Sequence, residues 1–294
     1  MPTVGIVGAG YIGKTFLDRL DDSEYDTVAY DVDDAQLDAA AGRGAARASS
    51  PADVADRAEF VVLALPGSPE VEAVMESADG LLGALDAGQV VVDATTTHPD
   101  TSRQCVKWCE ERGALFVEAP ITRAAPRAGA HMMVGGSDEA YEAARDLIGT
   151  LSDAHLRVGA AGEATVLKLG LQMRYAGRTA LDAEIVEFLR DNAVDPAHLR
   201  DFFEMDVSES LLDREFGQAH EGMGALAIWH KDIGYAREVA GEGHTALPVN
   251  AAVHEAFKTT TGLAVPDEGH AATLLRYWEL LNGARERPFQ PAGE

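Results

Sequence analysis

The sequence predicts an α/β fold in two parts, a doubly wound parallel sheet followed by an all-α domain, joined by a long interdomain helix. Three observations predict it. Short apolar runs alternate with helical stretches up to about Gly162, the strand signal then almost disappears, and a proline-free helical stretch runs from Glu163 to about Asn192. Apolar strands separated by helices imply a parallel sheet covered on both faces.

The expected strands are Thr3–Val7, Thr27–Tyr30, Phe60–Leu65, Val90–Asp93, Leu115–Glu118 and His131–Val134. Helix-like segments such as Ile12–Leu20, Asp34–Ala41 and Asp100–Arg112 lie between them. Residues 1–162 then form the first domain and 163–294 the second, with glycines at 159 and 162 rather than a flexible linker at the junction. Towards the end, Ala271, Leu274, Leu275, Trp278 and Leu281 fall on one helical stripe, and Arg287–Glu294 reads as a loose tail.

Composition narrows the class. A chain of 294 residues suits two domains, and 46% hydrophobic with 25% charged residues is enough to bury a core. The formal charge of −25 argues against nucleic acid as a partner, because a polyanion meets a field of its own sign. No apolar run is long enough for a membrane span, and Val4–Gly13 lacks the basic segment that opens a signal peptide. Cys105 and Cys109 are the only cysteines, which fits a reducing cytoplasm; four residues apart on a predicted helix, they read as semi-buried packing residues. No metal site is expected, because His254-Glu255 is not followed by the histidine of a zinc-binding helix and the other histidines show no ligand spacing.

The basic residues are unevenly chosen. Lysine occurs only at Lys14, Lys107, Lys168, Lys231 and Lys258, and every other basic residue is arginine. Abundant Asp and Glu with so little Lys resembles the proteins of salt-loving organisms. The lysines that remain are therefore candidates for specific roles.

Gly8-Ala9-Gly10-Tyr11-Ile12-Gly13 follows the first strand and opens the first helix. In that context the glycines serve a tight turn, the approach of a pyrophosphate and close helix–strand packing, the signature of a Rossmann-type dinucleotide site. Asp31, at the end of the second strand, can accept hydrogen bonds from the adenosine ribose and repels a 2′-phosphate. Neither Val32 nor Asp33 supplies a compensating cation, so NAD is expected in preference to NADP. Leu65, Pro66 and Thr96 lie at further strand ends, where ligands of such sheets bind.

On these marks the sequence resembles the β-hydroxyacid dehydrogenase family, whose members include 3-hydroxyisobutyrate, tartronate semialdehyde and 6-phosphogluconate enzymes. Further marks are Asp93-Ala94-Thr95-Thr96, Glu118-Ala119-Pro120-Ile121-Thr122 followed by Gly135-Gly136, Gly162-Glu163-Ala164 leading to Lys168, and Lys231-Asp232. The resemblance implies a catalytic role for Lys168, a place for Lys231 near nicotinamide and substrate, and a helical domain that builds homodimers or homotetramers. The chain departs from the family pattern at Thr122-Arg123-Ala124, at Leu171 and at Gln172, all in the substrate-contacting set.

The chemistry follows from these residues. Oxidising an alcohol needs a hydride acceptor, a base and an orienting group. NAD supplies the first. A lysine amine near an apolar domain interface and beside other cations can titrate towards neutrality and serve as the base. Gln172, one helical turn beyond Lys168, can hydrogen-bond the reacting hydroxyl or hold the amine. A small anionic hydroxyacid or semialdehyde needs local positive charge, and Arg123 is the first choice, with Thr122 and Ala124 beside it and Arg127 and Arg174 in reserve. An imine reductase-like enzyme and a non-catalytic dinucleotide-binding protein are the competing readings.

Overall fold

The protein is described here from a computed structural model, which describes residues 1–122, 129–207, 212 and 225–261. The helical stripe at 271–281 and the tail at 287–294 lie outside the described residues. Two compact units emerge, Met1–Leu169 and Gly170–Glu294.

The first unit is a sheet wrapped by helices. Its strands are β1 (Thr3–Val7), β2 (Asp26–Tyr30), β3 (Ala46–Arg47), β4 (Phe60–Leu63), β5 (Val90–Asp93), β6 (Leu115–Glu118), β7 (Ile121–Thr122), β8 (His131–Gly136) and β9 (Ala154–Gly159). They pair in the order β3-β2-β1-β4-β5-β6-β8-β7, with β9 also on β8. The helices are α1 (Tyr11–Leu20), α2 (Asp34–Ala41), α3 (Pro51–Ala55), α4 (Ser68–Glu76), α5 (Pro99–Glu110), α6 (Asp138–Leu151) and the start of α7 (Glu163–Asp191).

Period-two alternation builds two cores from the same strands. Val4, Ile6, Val62, Val90 and Val92 pack on one face with Phe16 and Leu20 of α1 and Leu147 and Ile148 of α6. Val7, Val61, Leu63 and Val91 pack on the other with Val54, Val71, Met75, Cys105 and Cys109. Strands β1 to β6 run parallel. The chain leaves β1 first towards β2 and β3 and then, through β4, towards β5 and β6. The resulting switch point between β1 and β4 is where such sheets bind ligands.

The sheet is not parallel throughout. β8 runs antiparallel to β6 and β7, and only β8 and β9 are parallel there. The link from β7 to β8 is too short for a helical crossover, so the chain must double back. The expected Phe60–Leu65 strand stops at Leu63, because the Leu65 N–H turns aside to the Thr95 hydroxyl at 3.1 Å.

Cys105 and Cys109 are wholly buried, not semi-buried, with 0% exposure each. Burial pushes the Cys109 thiol up to about 12. The Cys105 thiol is raised as well, by burial first and the Asp93 carboxylate second. Both should be inert towards a thiol-exchange reagent in the native protein and react only after denaturation; labelling of the native protein at the rate of a free thiol would contradict this burial.

The second unit is helical: the remainder of α7, then α8 (Ala197–Asp201), α9 (Ala225–Glu242) and α10 (Pro248–Thr261). Ala176, Ala180 and Ala183 form a small-residue stripe on α7, buried with Ile233, Val253 and Phe257. Trp229 and Phe257 join α9 to α10 with ring centroids 5.9 Å apart. No described helix is long and apolar enough to cross a membrane.

Candidate active site

The glycine turn is demanded by the fold at two positions and not at the third. Gly8 has φ +95°, and its N–H donates to the Tyr30 carbonyl at 2.9 Å. A Cβ at Gly8 would lie 2.4 Å from the Ala64 carbonyl oxygen, and one at Gly13 only 2.0 Å from that of Gly8. At Gly10 a Cβ would meet nothing within 4 Å, and φ is −66°, a value any residue adopts. Gly10 is the N-cap of α1 and offers no side-chain cap to the helix. Tyr11 is 44% exposed beside it, and Ile12 packs against the sheet core. Open space at Gly10 over a helix N-terminus fits a dinucleotide pyrophosphate, which needs close backbone approach and favours that end of the dipole.

Asp31 stands where β2 ends. Its carboxylate accepts from the N–H of Ala9 at 2.7 Å and of Asp33 at 2.9 Å, so it also latches the glycine turn. Beside it a groove of about 380 Å³ is lined by Tyr30, Asp31, Asp34, Arg47, Ser49 and Asp53 among others. Arg47, on β3, is a cation that inspection of the residues next to Asp31 missed. It is already engaged, donating to Asp38 and, at 3.2 Å, to Asp34. The Ser49 N–H, with smaller contributions from its hydroxyl and from Arg57, holds the Asp53 carboxyl below its ordinary range despite a cost of burial. The groove therefore keeps its negative charge.

At the neighbouring strand ends, the Thr95 N–H donates to the buried Asp93 carboxylate at 2.9 Å. Leu65 is half-buried, Pro66 exposed and Thr96 half-buried. Thr122 is buried in β7 opposite His131. Arg123 and Ala124, with the reserve Arg127, lie outside the described residues, and Arg174 is exposed.

Lys168 is buried, with 5% exposure, while its helix neighbours Val166 and Leu167 are each 43% exposed. An amphipathic helix normally does the reverse. Burying an amine sacrifices hydration worth far more than the exposure of a valine. Local rules of this kind are broken chiefly at functional or strained sites.

The helix that carries Lys168 is itself held. Glu118, at the end of β6 and 1% exposed, lies at the start of α7. Its Oε1 accepts from the N–H groups of Gly162 (2.8 Å), Ala164 (2.9 Å) and Thr165 (3.3 Å), and its Oε2 from the Thr165 hydroxyl (2.8 Å). These contacts join the first turns of α7 to the sheet, within the first compact unit.

In the second unit Gln172 and Lys231 meet through a residue that sequence reasoning passed over. Asp232, wholly buried, accepts from Gln172 Nε2 at 2.6 Å. Lys231 Nζ lies 3.1 Å from its other oxygen and 5.5 Å from the centre of the Tyr235 ring. The carboxylate accepts only, so Gln172 gives it one N–H of its amide, and the second N–H and the carbonyl oxygen remain for other partners. The signal for Asp232 was its place directly after Lys231. Among the described residues no group of three or more His, Cys, Asp and Glu side chains could hold a metal.

Comparison with known proteins decides the family. The family model described as the NAD binding domain of 6-phosphogluconate dehydrogenase matches residues 3–161, more than half the chain. The chain belongs to the β-hydroxyacid dehydrogenase family. Among curated relatives, 2-(hydroxymethyl)glutarate dehydrogenase of Eubacterium barkeri is 24% identical, aligned over 95% of this chain and 96% of its own length. Among solved structures, 3-hydroxyisobutyrate dehydrogenase of Mycobacterium tuberculosis with L-serine shares 19% identity and a TM-score of 0.79, over 93% of this chain and 98% of that one. An imine reductase from Myxococcus stipitatus in complex with NADP+ matches less well, at TM-score 0.60 and 17% identity, over 94% of this chain and all of that one. These structural likenesses establish the fold. As a β-hydroxyacid dehydrogenase the protein is an NAD(P)-binding oxidoreductase that acts on hydroxyacids.

Proposed function

We propose that the protein oxidises a small anionic β-hydroxyacid of the 3-hydroxyisobutyrate type with NAD, and that Lys168 is the general acid/base. The observation that carries this reading is the burial of Lys168 on a helix whose neighbouring apolar residues are half exposed. Gly8, Gly10, Tyr11, Ile12, Gly13, Asp31, Leu65, Pro66 and Thr96 are assigned to the dinucleotide, which supplies hydride transfer when bound. Lys168, as the neutral amine, takes the hydroxyl proton of the alcohol; in reduction it returns that proton to the oxygen that gains negative charge. Gln172 and Lys231, tied through Asp232, orient the substrate. Thr122, Arg123 and Ala124 are assigned to its carboxylate end, where a guanidinium gives paired hydrogen bonds.

Substrate class is supported by the curated and structural relatives. The two dehydrogenases among them are each named for an acid, 2-(hydroxymethyl)glutarate or 3-hydroxyisobutyrate, whose hydroxyl sits on the carbon β to a carboxylate. Assembly into a homodimer or homotetramer through the helical domain belongs to the same reading, and the second unit leaves Leu181, Phe188, Phe202 and Phe203 exposed. The charge of −25 supports operation in concentrated salt.

The preference for NAD rests on the groove beside Asp31. A 2′-phosphate there would meet Asp31, Asp34 and Asp53, with Arg47 already occupied by two aspartates. Juxtaposed like charge costs several kcal/mol, so kcat/KM should favour NAD by at least about tenfold. The test is a panel of small β-hydroxyacids with a cyclic imine as control, each assayed with both nucleotides. Turnover of β-hydroxyacids with NAD is expected; turnover of the imine alone would overturn the substrate class, and equal use of NADP would overturn the cofactor preference.

A further inference from the structure

We propose that Glu118 is a positioning residue for catalysis: from the end of β6 it fixes the N-terminal turn of α7, and so the place of the Lys168 amine. The inference rests on the reading of Lys168 as the acid/base and adds a part to it.

Three features of the contact carry it. First, Glu118 is a buried carboxylate that draws its contacts from one end of one helix: three main-chain N–H groups and the Thr165 hydroxyl. An anion at that end is favoured by the unpaired N–H groups and by the helix dipole, and charge-assisted bonds of this kind are stronger and more directional than neutral ones. Second, the sheet makes room for it. Gly135 is the partner of Glu118 across β8, and a Cβ there would lie 2.4 Å from Glu118 Oε1 and 2.8 Å from the Ala160 carbonyl oxygen. Third, the held turn is close to the amine. Thr165 and Lys168 are three residues apart, on one face of the helix and about 4.5 Å apart along its axis at 1.5 Å per residue. Both are buried. A tilt or slip of that first turn moves the amine with it.

The contact joins the sheet that ends in the nucleotide site to the helix that carries the base. Ordinary helix capping by Ser or Asp would satisfy the same N–H groups from within the helix segment, as Ser137 does for α6. A carboxylate reaching from a strand 44 residues earlier in the chain instead fixes the helix relative to the sheet.

The test is a double-mutant cycle. Glu118→Gln keeps size and shape and removes the charge. It should lower kcat by about 10- to 100-fold, the cost of misplacing a reacting group by roughly 1 Å, with NAD affinity unchanged. Thr165→Val, which removes one of the four bonds and leaves the main-chain three, should lower kcat in the same direction by less. In a Lys168→Ala background Glu118→Gln should cause no further loss, because the group it positions is gone. Hydrogen exchange at the amides of Gly162, Ala164 and Thr165 should quicken in Glu118→Gln. Unchanged kcat in folded Glu118→Gln, or an equal loss with and without Lys168, would overturn the proposal while leaving the lysine in its role. Wild-type turnover by Lys168→Ala alone would instead remove the lysine, and the positioning role with it.

Discussion

Lys168→Ala should lower kcat by about 10²- to 10⁴-fold, the usual worth of a positioned acid or base, and leave NAD affinity unchanged. The separation follows from the fold. The residues assigned to the nucleotide belong to the turn after β1 and the ends of β2, β4 and β5, whereas Lys168 sits on α7. Thermal unfolding measured on the same variant separates lost chemistry from lost fold. Lys168→Arg should be nearly as inactive, because a guanidinium does not release a proton in the accessible pH range. Near-normal turnover by either variant would remove Lys168 from the chemistry. A collapse of Tm in Lys168→Ala would make it a structural residue.

Gly10→Ala and Gly13→Ala should separate ligand binding from folding within one six-residue turn. At Gly13 the added methyl would lie 2.0 Å from the Gly8 carbonyl oxygen, a main-chain atom that cannot rotate away. Alanine is the better helix former by about 1 kcal/mol, but forcing α1 off β1 costs about 1–3 kcal/mol or more. The clash wins, and Gly13→Ala should lose several degrees of Tm together with NAD binding. At Gly10 the methyl meets no protein atom within 4 Å. The N-cap preference for glycine over alanine is small, so Gly10→Ala should fold within about 1 kcal/mol of wild type. Its methyl would still occupy the space assigned to the pyrophosphate, weakening NAD by at least about tenfold, or 1.4 kcal/mol. Calorimetry and fluorescence titration of the two variants check this. Wild-type NAD affinity in Gly10→Ala would move the pyrophosphate elsewhere.

The sheet was legible where strands are buried on both faces. β1, β5 and β6 carry continuous apolar runs, and the expected strands coincide with the observed ones. β9 was not foreseen, because Ala154–Gly159 is a half-exposed edge strand in which polar His155 and Arg157 interrupt the apolar residues. The antiparallel β8 was read as another parallel strand, since alternation reports burial and not direction. Lys168 stood out by motif and by the scarcity of lysine. Glu118 and Asp232 did not, although both lie inside motifs that did, because a carboxylate's partners 44 or 60 residues away leave no mark in local spacing. Arg47 escaped for the same reason: β3 brings it to the Asp31 groove across 16 residues of chain.

The acid/base assignment is tested most directly by chemical rescue. Hydroxyacid oxidation by Lys168→Ala is measured against increasing concentrations of small primary amines, with tetramethylammonium as the ionic control. If an amine nitrogen at that place takes the hydroxyl proton, the rate rises with the concentration of free base and not with that of the ammonium form, and tetramethylammonium does nothing. A rate that ignores every amine, or that rises equally with tetramethylammonium, would contradict the assignment.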